Sequence, residues 1–322
     1  MKKLFASILS FFLIFSMTSC TAIRNVSDLI EKTIPSVIAN YTKESILPDK
    51  KASEGQNSND PAEIQDGEKN DSNTQKNDTP LNSLPSTVDT HEVVKLINAI
   101  TTDTIKACVN ITTAEFNSRL STTPLRSSIG SGVIFKADKK TADIYHYYVL
   151  TNYHVAELTD TYPYYKHTIT DYQGNEYTAL TPSWFNNTTL QKLCEEHDLS
   201  ILEFETTAEL KVIQLETKNP EINEMLISVG QPKGQQNAIT IGIIEGYTEI
   251  AIEDDFEPDF EVIAHNAPID RGNSGGAIFN TDLELVGINF AGSWNDDGTF
   301  AHGYGIPIET VRKFISSFGI AL

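Results

Sequence analysis

Most of this chain's folding options are removed by a succession of short apolar runs: SGVIFKAD, YHYYVLTN, LSILEFE, EMLISVG, AITIGIIEGY, EVIAHNA, GGAIF and LVGINFA. These runs are short, rich in Val, Ile, Tyr and Phe and spaced by Gly, Asn, Asp and Pro, so they read as strands. So many short strands with turns between them predict an all-β barrel or sandwich. Ahead of them HEVVKLINAITTD reads as a short helix and TIKACVNITT as a strand. Near the C-terminus the run from Pro307 to Ile315 has helical period and would dock Val311, Phe314 and Ile315 on a core.

The first part of the chain has a different composition. Lys2 and Lys3 precede an apolar stretch from Leu4 to about Met17, the layout of an export signal and too short for a stable membrane span. Its end, Met17-Thr18-Ser19-Cys20, resembles the bacterial lipoprotein cleavage box, which implies a signal peptide over 1–19 and lipidation of Cys20 as the mature N-terminus. The mature chain would then be anchored by this lipid on the extracytoplasmic face of the cell membrane. From Asp49 to Pro85 the residues are mostly polar, Ile64 is the only large apolar residue before Leu81, and no aromatic residue occurs between Thr42 and Glu115. Nothing there could nucleate a core, so residues 20–90 read as a lipid-attached segment with a disordered polar tether.

With 24 basic against 44 acidic residues, the formal charge of −20 opposes binding to nucleic acid, whose phosphates would be repelled. No CxxC or HExxH spacing is present, and no metal or cofactor is predicted. Cys108 and Cys194, in a predicted buried strand and a predicted loop, read as two unbonded thiols. The acidic run 253–261 lacks the ligand order of a calcium loop and reads as a solvated loop. Gly130-Ser131-Gly132 precedes a strand rather than a helix, so it does not read as a phosphate loop.

The chemistry concentrates in RGNSGGAIF, where Ser274 stands among three glycines. A serine hydroxyl is a poor nucleophile unless a base lies within reach, a third group orients that base, and donors await the developing oxyanion. GNSGG also fits the nucleophile elbow of α/β-hydrolases, but that elbow needs a following helix and downstream Asp and His. Here strand, turn and strand follow, and His302 is the only later histidine. The opposite order is available upstream: YYVLTNYHVAEL puts His154 just beyond a strand, and EEHDLSILEF puts Asp198 just before another. Either residue alone reads as structural; the three in this order do not.

SGVIF, YVLTNYHV, HDLSIL, GNSGGAIFN, LVGINFA and YGIPIETV, in this order from about His91 to Ile315, resemble the trypsin-like serine proteases of the bacterial HtrA (Deg) family. The resemblance implies two six-stranded antiparallel β-barrels, over 91–207 and 208–322, closed by a C-terminal helix. It implies His154 as general base, Asp198 as orienting carboxylate and Ser274 as nucleophile, with an oxyanion hole from the backbone of Gly272, Asn273 and Ser274. By the same resemblance the specificity pocket draws on Pro268, Ile269, Asn289, Phe290 and Ala291, and would take small or medium apolar side chains. Substrates would be unfolded or exposed polypeptides, cleaved through an acyl-enzyme, and the assembly a homo-oligomer such as a trimer; the alternative is a catalytically silent binding module. Two departures stand out. Asp270-Arg271 replaces the usual Asn-Pro before GNSGG, and the chain ends about where a PDZ domain would begin.

Overall fold

The computed structural model describes residues 90–231, 238–250 and 258–322. The expected signal peptide over 1–19, Cys20, the expected tether and most of the acidic run 253–261 lie outside the described residues.

The chain enters through helix α1 (Thr90–Thr102) and a 3-10 turn (Thr104–Ala107). The predicted strand TIKACVNITT is therefore split, its first part forming this turn and the remainder belonging to β1 (Cys108–Phe116). Strands β2 (Arg126–Lys139), β3 (Tyr145–Thr151), β4 (Tyr164–Thr170), β5 (Glu176–Thr178) and β6 (Ser200–Thr206) complete an antiparallel sheet in the order β5-β4-β1-β2-β3-β6. Strands β7 (Met225–Gly230), β8 (Ala238–Thr248), β9 (Val262–His265), β10 (Ala277–Phe279), β11 (Leu285–Trp294) and β12 (Phe300–Pro307) close a second antiparallel barrel in the order β10-β11-β12-β9-β8-β7. The two six-stranded units expected from the sequence are present, the second fully closed.

One buried cluster runs through both units, from Ile111, Val149 and Phe204 to Phe279, Leu285 and Ile306. The two halves therefore share a core. The last helix, Ile308–Ser317, buries Ile308, Val311, Phe314 and Ile315 on one face, as its period predicts. Each such burial contributes roughly 1.5–3 kcal/mol.

A further helix was not foreseen. Thr188–His197 is helical, so Cys194 lies in a helix and not in a loop. Asn187 caps it by accepting a hydrogen bond from the Leu190 N–H, and Asp198 ends it in the left-handed conformation, φ 46 and ψ 40. Cys108 and Cys194 are both unbonded and buried, and burial pushes the Cys108 thiol up to about 12. We label the four-residue helix Tyr153–Ala156 α2, Thr188–His197 α3 and Ile308–Ser317 α4.

Candidate active site

Strand β3 stops at Thr151, and Asn152 turns the chain into α2. Tyr153, Val155 and Ala156 anchor this single turn in the core, while the His154 side chain stays 47% exposed. The opposing residue comes from the sharp α3–β6 junction. Asp198 accepts from His154 Nδ1 at 2.8 Å through one carboxylate oxygen and from the His154 backbone N–H at 3.0 Å through the other. Asn152 Nδ2 donates to the Asp198 carbonyl at 2.8 Å. With Nδ1 given to the carboxylate, the ring is fixed in the tautomer that leaves Nε2 as a base.

The electrostatics of the pair have competing parts. Partial burial disfavours the imidazolium, but the hydrogen bond to Asp198, its charge and that of Glu157 outweigh this and hold His154 above its ordinary 6.5. The ring's exposure lets solvent screen part of that effect.

Ser274 follows a tight turn. Asn273 N–H donates to the Asp270 carbonyl at 3.0 Å and Gly272 has φ +99, the pattern of a type II turn, whose third position needs a positive φ. This orientation of the central peptide is opposite to that of a type I turn, and it carries the Gly272 N–H with it. Among the described residues no partner takes the Gly272 or the Ser274 N–H. The Asp270-Arg271 departure thus leaves a closed turn in which Asp270 also accepts from the Arg271 N–H at 2.7 Å. Gly275 has φ +80, and a Cβ there would lie 2.2 Å from the Ser131 carbonyl oxygen, so both conformation and space demand glycine.

The His154 and Ser274 segments meet at Gly130. A Cβ there would lie 2.5 Å from Val155 and 3.0 Å from the Ser274 carbonyl oxygen. Among the described residues no hydrogen bond joins His154 Nε2 to Ser274 Oγ. Such contacts are commonly long before substrate arrives.

Of the residues expected to line a specificity pocket, Pro268, Ile269 and Phe290 are buried and Ala291 is half-buried beside them in sequence. Asn289 is fully buried, and its side chain is engaged inside the barrel: Nδ2 donates to Ser228 Oγ at 2.8 Å, and Oδ1 pairs with His265 Nε2 at 3.2 Å. A register shift between Asn289 and Ala291 interrupts the β11–β12 pairing at Phe290. Sequence reasoning missed Trp294, 49% exposed, whose ring lies over Gly292 next to Ile269. An aromatic at the end of a strand beginning LVGINFA was the available signal.

Residues 130–288 match the trypsin-like peptidase domain family. This part of the chain is similar to the peptidase domains of HtrA-type serine proteases. The chain is 30% identical over 192 residues to the serine protease Do-like HtrA of Bacillus subtilis, covering 58% of this chain and 38% of that protein. Against the periplasmic serine endoprotease DegP of Escherichia coli K12 the identity is 28% over 190 residues, covering 59% of this chain and 35% of that protein. The chain thus spans a little over a third of the length of these relatives. An HtrA-type protease solved with a tripeptide shares the fold, with a TM-score of 0.52, 23% identity, and coverage of 69% of this chain and 63% of the other.

Proposed function

We propose that this chain is an exported, membrane-tethered serine endopeptidase that hydrolyses peptide bonds of unfolded or exposed polypeptides. The observation that carries this reading is Asp198 holding both the ring and the backbone N–H of His154, at 2.8 and 3.0 Å, in a segment packed against the Ser274 turn. In this reading His154 Nε2 takes the proton of the Ser274 hydroxyl as its oxygen attacks the scissile carbonyl. Asp198 stabilises the imidazolium that forms, and the Gly272 and Ser274 N–H groups, with Asn273 between them, receive the oxyanion. His154 then passes its proton to the leaving amine, which departs to leave an acyl-Ser274; water, deprotonated by His154, releases the acid. No metal or cofactor enters these steps.

Ile269, Phe290 and Ala291, with Pro268 at the base, define a slot for small or medium apolar side chains, and Trp294 would flank its approach. Extracytoplasmic location is supported by relatives named as periplasmic proteases. Anchoring through Cys20 rests on the MTSC box. Casein hydrolysis by the wild-type chain, abolished in Ser274→Ala, is the expected result; a folded wild type as inactive as Ser274→Ala would favour a catalytically silent binding module. A Cys20→Ser variant is expected to leave the membrane fraction, and its retention there would remove Cys20 as the anchor.

A further inference from the structure

The Gly130-Ser131-Gly132 stretch has no role in the chemistry above, yet Ser131 is only 2% exposed and every polar group it owns is engaged at the junction of the two halves. Its Oγ donates to the Gly272 carbonyl at 2.7 Å and accepts from the Gln231 N–H at 2.9 Å. Its N–H donates to the Ser274 carbonyl at 2.8 Å. Its own carbonyl accepts from Thr151 Oγ1 at 2.7 Å, three residues before His154. The flanking glycines make this approach possible: a Cβ at 130 would strike Val155, and one at 132 would strike Ile111 and Val149.

We propose that Ser131, from the half that carries His154, is a positioning residue that sets the oxyanion-binding turn in the half that carries Ser274. Peptide planes are rigid, so a hydrogen bond at one end fixes the group at the other. The plane between Gly272 and Asn273 is held at one end by Ser131 Oγ on the Gly272 carbonyl and at the other by the Asn273 N–H on Asp270. The plane between Ser274 and Gly275 is held by the Ser131 N–H on the Ser274 carbonyl and by the Gly275 N–H on Asn289, at 2.8 Å. Between them, the Asn273 carbonyl accepts from the Gly276 N–H at 2.8 Å. The Ser274 N–H therefore projects from a plane fixed on both sides, and the Gly272 N–H from the plane adjoining one that Ser131 holds. Without the hydroxyl, the Gly272 carbonyl loses its partner, and the turn that this bond braces can relax about the Gly272 Cα, so that the adjoining plane no longer holds the Gly272 N–H on the oxyanion site. His154 and Asp198 do not touch the Ser131 side chain, so the base is expected to be unaffected.

This inference rests on the proposed protease reading, and the test separates the two. In the full chain, Ser131→Ala is expected to lower kcat about 10- to 100-fold with KM within about twofold, less than the loss of a direct oxyanion donor. The pH midpoint of the rate should not move. Ser131→Cys, close in size but a weak donor, should show the same loss, and Ser131→Thr should recover most of the rate. Affinity for a peptide boronate, which mimics the tetrahedral oxyanion, should fall in step with kcat, while a product peptide should bind Ser274→Ala and the Ser131→Ala, Ser274→Ala double variant equally. A kcat within twofold of wild type in both Ser131→Ala and Ser131→Cys overturns the proposal, as does a loss matched by equal weakening of product binding. If the wild type itself is inactive, the protease reading fails, and the Gly272 and Ser274 amide resonances then decide: unmoved by Ser131→Ala they overturn the positioning role, displaced they support it.

Discussion

Replacing Asp198 by Asn probes the base without removing it. Asn tolerates the left-handed φ of 46 at this position, and its side-chain oxygen can keep one of the two hydrogen bonds, so the fold should survive with a loss of about 1 kcal/mol. The chemistry should not survive. As the ring takes the serine proton, the wild-type carboxylate faces the new charge with centres about 4 Å apart, worth about 4 kcal/mol at an effective dielectric near 20. The His154 side chain is 47% exposed, which halves this when solvent reaches it. The charge-assisted hydrogen bond adds roughly 1.5 kcal/mol. The total, about 3.5–5.5 kcal/mol, corresponds to a loss of about 4 × 10² to 10⁴ in kcat/KM. The assay is hydrolysis of a fluorogenic peptide, with circular dichroism confirming the fold. A folded Asp198→Asn enzyme that keeps more than a tenth of the wild-type rate would refute the role given to this carboxylate.

Further outcomes follow from the same geometry. The rate should rise with pH as His154 loses its proton, with a midpoint above 6.5 because Asp198 holds the imidazolium; Asp198→Asn should move that midpoint down, and a flat rate between about pH 5 and 8 would argue against His154 as base. The same raised value has a stability sign: the His154–Asp198 contribution is complete below 6.5 and fades as pH rises through the folded value, which urea titrations across neutral pH would detect. His265 has the opposite sign, because burial pushes it down to about 4; stability should fall as pH drops from 6.5 toward 4, by about 2–3 kcal/mol at pH 4.5, and His265→Gln should flatten that window in chemical denaturation. Gly275→Ala should cost at least about 3 kcal/mol, since the new Cβ meets backbone at 2.2 Å and the φ is +80; a melting temperature within 2–3 °C of wild type, on the order of 1 kcal/mol, would contradict this.

How much of this was readable in the sequence differs from element to element. Alternating and continuous apolar runs named most of the strands, because burial pattern is a local property of the chain. Helix α3 was missed although Leu190, Leu193, Cys194 and His197 repeat at helical spacing; the Asn-Asn-Thr-Thr before them reads as a loop until Asn187 is seen capping the first turn. The pairing of His154 with Asp198 was legible through chain order and local motifs although it spans 44 residues, and the Ser274 turn was legible through its glycines. The Ser131 clamp was not recognisable, since its hydroxyl meets a carbonyl 141 residues away and nothing near either end marks the partner. Asn289 carried the same ambiguity: an inward and an outward side chain read alike next to a register shift.

The central claim is that Ser274 is a nucleophile activated by His154. A fluorophosphonate probe incubated with the folded chain, followed by peptide mass spectrometry, tests it most directly. One adduct on Ser274, absent in Ser274→Ala and slowed at least tenfold in His154→Ala, is the predicted result. A folded wild type that acquires no adduct, or an adduct that persists in Ser274→Ala, would contradict it.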